Sequence, residues 1–279
     1  MTAGAPAACV IGWPVAHSRS PLIHRYWLET HGIAGDYRHE AVAPEDFASF
    51  LADLGARGYV GANVTIPHKE AALALSEPDD HACSIGAANT LWLDHGRMRS
   101  TNTDVEGFID NLDASTPGWD RGLAKAVVLG AGGSALAVVD GLVRRGIPQV
   151  QVANRTSERA EAVRDRFGTA VQVARWDELD AVLSGAGLLV NTTSLGMAGG
   201  PGLAVDLGLL RPDAVVADLV YVPLETALLA QAKVRGLRVA DGLGMLLYQA
   251  VRGFSLWFGV KPAVTAELRA LVERDLAGN

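Results

Sequence analysis

The stretch AKAVVLGAGGSALAVVDGLVRRG, residues 124–146, constrains the fold of this 279-residue chain more than any other. The apolar run at 126–129 is too short for a helix and ends in Gly130-Ala131-Gly132-Gly133-Ser134-Ala135, after which the spacing of apolar residues is helical. A strand that turns through glycines into a helix, with another apolar strand at 149–153, describes a parallel pair joined by a crossover, the unit of an open α/β sheet. The glycines match G-x-G-x-x-G/A, with Ala135 at the permitted third position. Such a turn lets the backbone approach a pyrophosphate at a helix N-terminus, where free N–H groups and the helix dipole favour an anion. A glycine triplet alone reads equally well as a tight turn; the strand, helix and second strand around it favour a dinucleotide.

Which dinucleotide is written at the end of the second strand. An NAD enzyme places a carboxylate there for the ribose 2′-hydroxyl. This chain has Asn154-Arg155-Thr156, with Arg159 four residues after Arg155 at the start of a predicted helix. Two guanidiniums suit a dianionic 2′-phosphate, and Asn154 and Thr156 add neutral hydrogen bonds, so the expected cofactor is NADP. The bland alternative is a solvated arginine face.

Further strands at 188–191, 214–219 and 237–240 extend this half as a parallel sheet. The first half is a βα repeat of its own, with strands at 8–13, 37–42 and 59–64 and helices at 21–31, 44–56 and from 67. Ser20-Pro21 reads as an N-cap followed by proline at the first helical position, with Leu22/Tyr26 and Ile23/Trp27 as i, i+4 pairs on one face. NLDASTPGWDRG, residues 111–122, reads as a connection. After residue 240 two helical stretches follow with no strand between them, and they need a surface to pack on. The expected architecture is therefore two α/β domains with a cleft between: residues 1–106 completed by 241–279, and a Rossmann-type domain at 107–240.

Composition excludes several classes. A formal charge of −7 with no long basic run argues against a nucleic-acid partner. Apolar windows are interrupted before about 18 residues, and residues 1–15 lack a charged and then apolar leader, so a cytoplasmic chain with no membrane partner is expected. Cys9 and Cys83 are read as two buried thiols, and His17 and His68 lack metal-ligand spacing, so no metal is expected.

Four polar clusters stand at predicted strand ends or helix starts: Ser18-Arg19-Ser20, Asn63-Val64-Thr65 with Lys69, Asn89-Thr90, and Asn102-Thr103-Asp104. In open α/β sheets that edge is where ligands bind. Lys69 falls in a first helical turn, where the dipole disfavours a cation, and that mismatch favours function over a solvated surface lysine.

Taken in order, GWPVAHSRSPLIH, GANVTIPHKE, GAANT, NTD, GAGGSA, NRT, NTTSLGM, DLVY and DGLGMLLYQA make the chain resemble the shikimate dehydrogenase family over nearly its whole length. The resemblance implies a monomer or homodimer that reduces 3-dehydroshikimate to shikimate with NADPH, on the route to aromatic amino acids. It implies Lys69 and Asp104 as the catalytic pair. It implies Ser18 and Ser20 at the substrate carboxylate, and Asn63, Thr65, Asn89 and Gln249 at ring hydroxyls. Tyr221 would line the substrate side of the nicotinamide pocket, while Thr193, Leu219, Gly242 and Met245 would line the cofactor. Strand-end backbone satisfaction is the bland alternative for the polar residues. The chain departs from the family in one place, carrying Val105-Glu106 before Gly107 where glycine usually follows the Asn-Thr-Asp motif.

Two other functions compete. One is a catabolic quinate/shikimate dehydrogenase, usually NAD-linked, which Asn154-Arg155 disfavours. The other is a ligand sensor without turnover, which the retained Lys69 and Asp104 disfavour.

Overall fold

The structure is a computed structural model and describes residues 5–278; the leader reading of residues 1–15 lies in part, at 1–4, outside them. In chain order the elements are β1 (Ala7–Gly12), α1 (Ser20–Thr30), β2 (Asp36–Ala41), α2 (Phe47–Ala52), β3 (Tyr59–Val64), α3 (Lys69–Ala74), β4 (Glu77–Pro78), α4 (Asp80–Ile85), β5 (Thr90–Asp94) and β6 (Arg97–Thr101). There follow α5 (Asp104–Ser115), β7 (Lys125–Leu129), α6 (Gly133–Arg144), β8 (Gln149–Asn154), α7 (Ser157–Phe167), β9 (Val171–Arg175), α8 (Leu179–Leu183), β10 (Leu188–Asn191), β11 (Val215–Asp218), α9 (Ala227–Val234), β12 (Arg238–Ala240), α10 (Gly242–Phe258) and α11 (Ala266–Gly278).

The chain divides into two compact units: Met1–Thr103 with Gln249–Asn279, and Asp104–Tyr248. It leaves the first unit between Thr103 and Asp104 and returns to it part-way along α10.

The first unit holds a six-stranded sheet in the order β2-β1-β3-β5-β6-β4. Strands β2, β1 and β3 are parallel, but β5 runs antiparallel to β3 and forms a hairpin with β6. Its turn is His95-Gly96, with φ of 50° and 80°. Positive φ at both positions is what a type I′ two-residue hairpin turn requires, and His-Gly meets it less obviously than Asn-Gly. The expected βα repeat therefore ends at β3, and the sheet is mixed. Helix α1 buries Ile23, His24, Trp27 and Leu28. Leu22 and Tyr26, expected on the same apolar face, are only half-buried. The return segment packs hard on the sheet: a Cβ on Gly61 would run into Trp257 Nε1, which itself donates to Leu91 O at 2.8 Å. The thiol of Cys9 is buried, and burial pushes it up from its ordinary range. Cys83, expected to be buried too, is exposed, because it falls on the outer face of the short α4.

The second unit is an all-parallel sheet in the order β12-β11-β10-β7-β8-β9. The chain winds outward through β8 and β9, then returns to the other side of β7 with β10, so the order reverses between β7 and β10. Such a reversal opens a crevice at the carboxyl ends of the strands. Strand β9, Val-Gln-Val-Ala-Arg at the sheet edge, was not expected from its half-polar sequence. Ala135, third small position of the glycine motif, is fully buried where α6 meets the sheet. No helix among the described residues is long and apolar enough to cross a membrane.

Candidate active site

In the first unit the carboxyl edge gathers the polar clusters because of strand direction. Strands β1 and β3 end side by side at Gly12 and Val64. As β5 is antiparallel, its beginning lies at that same edge, with Thr90 opposite Asn63, and the end of β6 follows it, with Thr101 opposite Thr90. Asn63, Asn89, Thr90 and Thr103 thus meet through pairings that no local window of sequence contains.

They form one hydrogen-bonded network. Asn63 Nδ2 donates to Asn89 O at 3.3 Å and to Thr90 Oγ1 at 3.1 Å. Its Oδ1 accepts from the Tyr37 hydroxyl at 2.6 Å. Asn89 Oδ1 accepts from Thr90 Oγ1 at 3.0 Å, from Thr103 N at 2.8 Å and from Thr103 Oγ1 at 3.1 Å. Thr103 Oγ1 also lies 3.4 Å from Gln249 Oε1. An amide has two donors and one two-lone-pair acceptor, so these partners set which end of each asparagine faces inward. Asn63 and Asn89 are 6% and 3% exposed, and buried polar groups this crowded hold their orientation.

Ser18 Oγ donates to Ser20 Oγ at 3.2 Å and accepts from Ser20 N at 3.3 Å. Ser20 was expected to cap α1; it is instead the first helical residue, the cap position is Arg19, and no side chain caps there. The Ser20 hydroxyl, facing the buried interior, is not spent on the helix end. Thr65 donates its N–H to Ile11 O at 2.9 Å, and its methyl lies 2.5 Å from where a Cβ on Gly12 would stand, so glycine at 12 makes room for it. His68 stacks on Phe47 at 4.4 Å and its Nε2 lies 2.8 Å from Val42 O, a brace for the loop before α3. Lys69 opens α3 and is half-buried.

In the second unit the glycine turn follows β7. Gly130 has φ of +106°, and a Cβ there would lie 2.6 Å from Thr192 Oγ1. Cβ atoms on Gly132 and Gly133 would meet nothing within 4 Å. Helix α6 begins at Gly133 with Gly132 as its cap and no side-chain cap, so its first N–H groups, including Ser134 and Ala135, point beyond the helix end beside Ala131. An open glycine cradle facing unbonded amides fits a pyrophosphate. One strand over, Asn154 Nδ2 donates to Thr156 O at 2.8 Å. Arg155 lies in the loop before α7 and Arg159 within it, so they are not the helical i, i+4 pair expected from spacing. Both are exposed, and neither pairs with a carboxylate among the described residues, whereas Arg144, Arg145, Arg164, Arg175, Arg211 and Arg235 all do.

On the other side of β7, Asn191 holds the next loop. Its Nδ2 donates to Leu195 O and Asp218 Oδ1, and its Oδ1 accepts from Thr193 N and Thr193 Oγ1. Asp218 also accepts from Val220 N and Thr226 Oγ1; burial pushes its carboxyl up from the ordinary range while these donors oppose the shift. Gly242 opens α10 directly on the Leu219 backbone, where a Cβ would collide with Leu219 O, and Met245 packs in the same apolar cluster. Leu219, Gly242 and Met245 are thus neighbours. Gly244 is required by Asn111, whose Oδ1 occupies the space a Cβ would need. Tyr221 is half-buried in the loop after β11, in the second unit, whereas the other six substrate candidates are in the first.

Three family models match the chain: shikimate dehydrogenase substrate binding domain over residues 10–91, shikimate/quinate 5-dehydrogenase over 119–196, and shikimate 5′-dehydrogenase C-terminal domain over 242–271. A shikimate dehydrogenase (NADP(+)) of Rhodopseudomonas palustris strain TIE-1 is 67% identical over 277 residues, 99% of each chain. The chain belongs to the shikimate dehydrogenase family. Among solved members, the Thermus thermophilus enzyme in complex with NADP(H) and shikimate is 36% identical, covers 98% of each chain and has a TM-score of 0.81. A quinate dehydrogenase from Corynebacterium glutamicum in complex with NAD is 33% identical, covers 96% of this chain and 98% of its own, and has a TM-score of 0.88.

Sequence reasoning missed Tyr37, His24 and Asp218 as parts of these networks. The one signal for His24 was its place four residues after Ser20 on the buried stripe of α1.

Proposed function

We propose that this shikimate dehydrogenase family member catalyses the reversible, NADPH-dependent reduction of 3-dehydroshikimate to shikimate. The observation that carries the reading is the pre-oriented amide and hydroxyl edge of the first unit, with a lysine opening the helix beside it, in a chain so close to an NADP(+)-named relative. A small polyhydroxylated acid needs such an edge: hydroxyl groups are recognised by donors and acceptors of fixed polarity, and a site built that way rejects analogues lacking a hydroxyl.

In this reading Ser18 and Ser20 receive the carboxylate, and Asn63, Thr65, Asn89 and Gln249 read the ring hydroxyls. Bound NADPH supplies the reducing equivalent. Lys69 supplies the proton that the carbonyl oxygen needs as it becomes an alcohol, and takes it back in the reverse direction. Asp104 supplies the carboxylate of the catalytic pair, and Tyr221 packs against the substrate side. The residues at the second sheet fit the cofactor: residues 130–135 at the pyrophosphate, Asn154, Arg155, Thr156 and Arg159 at the 2′-phosphate, and Thr193, Leu219, Gly242 and Met245 toward the nicotinamide. The uncommitted arginines favour NADP over NAD, since a 2′-phosphate gives them the anion they lack within the chain. The reading extends to a cytoplasmic enzyme working as a monomer or homodimer, with the Gln249–Asn279 return segment serving the substrate-binding unit.

The test is to combine the pure protein with shikimate or quinate and NADP or NAD, and to follow reduced nicotinamide by its absorbance. Shikimate with NADP should be the fastest pair. Faster turnover of quinate with NAD would overturn the assignment.

A further inference from the structure

The chemistry above does not use the most deeply buried polar side chains of the first unit. Tyr37 on β2 is fully buried, yet its hydroxyl reaches Asn63 on β3, two strands away, at 2.6 Å. The reach is possible because the residues in between are small. Tyr37 stands opposite Ala8 on β1, and Ala8 opposite Gly61 on β3, so the ring lies across β1 with no larger side chain in its way. The ring is clamped by His24, stacked at 4.2 Å with planes 9° apart, and by Trp257 at 5.9 Å. The Ser20 hydroxyl neighbours the phenol and opposes the upward push of burial on it.

The protons can be followed one by one. A phenol has a single proton, and here it goes to Asn63 Oδ1, so toward Ser20 the Tyr37 oxygen can only accept. Both Nδ2 protons of Asn63 go to Asn89 O and Thr90 Oγ1, and Thr90 passes its own to Asn89 Oδ1. What Asn63 retains for a ligand is one lone pair on Oδ1. The Asn89 carbonyl, which can only accept, holds the amide nitrogen on its side, and the phenol holds the amide oxygen from the other, so without the phenol Oδ1 loses its one donor within the network.

We infer that Tyr37 is a positioning residue for substrate recognition: its hydroxyl anchors the oxygen end of the Asn63 amide, whose nitrogen end the Asn89 carbonyl holds, so that Asn63 is fixed to accept from a ring hydroxyl of the substrate and not to donate to it. The inference rests on the reading of this edge as the site for shikimate. His24 holds the ring from behind, its own ring stacked on the phenol.

The experiment is a double-mutant cycle of Tyr37→Phe and Asn63→Ala, assayed for shikimate oxidation with NADP. Phenylalanine keeps the stacked ring and removes only the hydroxyl. Tyr37→Phe should raise the KM for shikimate about tenfold, the scale of a lost buried hydrogen bond, with kcat within about threefold and the KM for NADP unchanged. In the Asn63→Ala background the same change should cost less than about twofold, because Tyr37 has lost what it acts through. A shikimate KM within about twofold of wild type in Tyr37→Phe, equal costs in both backgrounds, or a parallel rise in the KM for NADP would overturn the role, the last two marking a merely structural tyrosine. Should Tyr37→Phe fail to fold, Asn63→Ala alone must show the raised shikimate KM, and a value within about twofold of wild type overturns the inference. Wild-type protein inert toward shikimate and NADP would instead overturn the proposed activity, and this inference with it.

Discussion

The two sheets present their carboxyl edges to ligands by opposite means. In the first unit, side chains of β2, β3 and β5 and of the loops before β5 and after β6 converge and hydrogen-bond one another before any ligand arrives, with Asn63, Asn89, Thr90 and Thr103 all buried. In the second, the edge offers bare backbone at Gly132 and Gly133 and two exposed arginines. The difference matches the ligand proposed for each edge. A small ring with several hydroxyls is identified by the direction of each hydrogen bond, so recognition needs a network that does not reorient. A dinucleotide is held by its charge and length, so helix-start amides and exposed guanidiniums suffice.

The sharpest way to break this picture is at the lysine. Lys69→Ala should lower kcat by roughly 10²- to 10⁴-fold, the range for a lost general acid or base, while the KM for shikimate stays within a few-fold. Turnover near the wild-type level would mean that the pre-oriented edge binds substrate without doing chemistry at this position.

Acid separates the units next. Burial drives His24 from its ordinary value to about 3, opposed by the neighbouring Asn63 side chain. The unfolded chain takes up a proton on this histidine below about pH 6.5, and the folded chain refuses it until about 3. Stability from this group is therefore present above pH 6.5 and is lost as pH falls through that window, by an amount on the order of 5 kcal/mol. Asp218 in the second unit has the opposite sign: its carboxyl is raised, so the folded form holds a proton more tightly than the unfolded form and gains as pH falls. Acid should loosen the first unit before the second. His24→Phe should move the acid-unfolding midpoint downward, measured by circular dichroism between pH 7 and 3; an unchanged midpoint would show that His24 finds a proton-sharing partner as the protein opens.

The arginines come third. Replacing Arg155 and Arg159 together by alanine should raise the KM for NADP roughly ten- to hundredfold, as charge-assisted hydrogen bonds to a dianion are lost, and should leave the KM for NAD and for shikimate nearly unchanged. Equal losses with both cofactors would return these residues to an ordinary solvated face.

How far the molecule could be read in advance divides along the same line. The dinucleotide edge is built from consecutive residues, and the strand, glycines and helix of residues 124–146 carry it within one window. What was misjudged there is local geometry: Arg155 precedes α7 rather than entering it, and β9 hides in a half-polar edge sequence. The substrate edge is assembled from distant pieces. Its residues stand out as polar groups at strand ends, but their partners depend on β5 turning back through His95-Gly96 and on Tyr37 crossing β1 over an alanine. Neither step has a local signature, and a tyrosine and a histidine among apolar residues read as ordinary core. Ser20 shows the same limit, since Ser-Pro spelled a cap while the fold put the helix start one residue earlier.

The smallest effect gives the cleanest contrast, because it compares the same residue type at equivalent places. Asn63 sits at the end of β3 and Asn154 at the end of β8. Asn63 makes three hydrogen bonds from both ends of its amide, whereas Asn154 makes one, to the carbonyl of Thr156 two residues on. Removing a side chain whose one partner is a solvent-accessible carbonyl leaves no buried group unsatisfied, so Asn154→Ala should change stability by less than about 0.5 kcal/mol. Its effect on the KM for NADP should stay within about threefold, the share of one neutral hydrogen bond beside two charged ones. If Asn154→Ala instead proves as costly as Asn63→Ala, the nucleotide edge is also a pre-wired network, and the contrast between a site read by fixed amides and one held by backbone and charge fails.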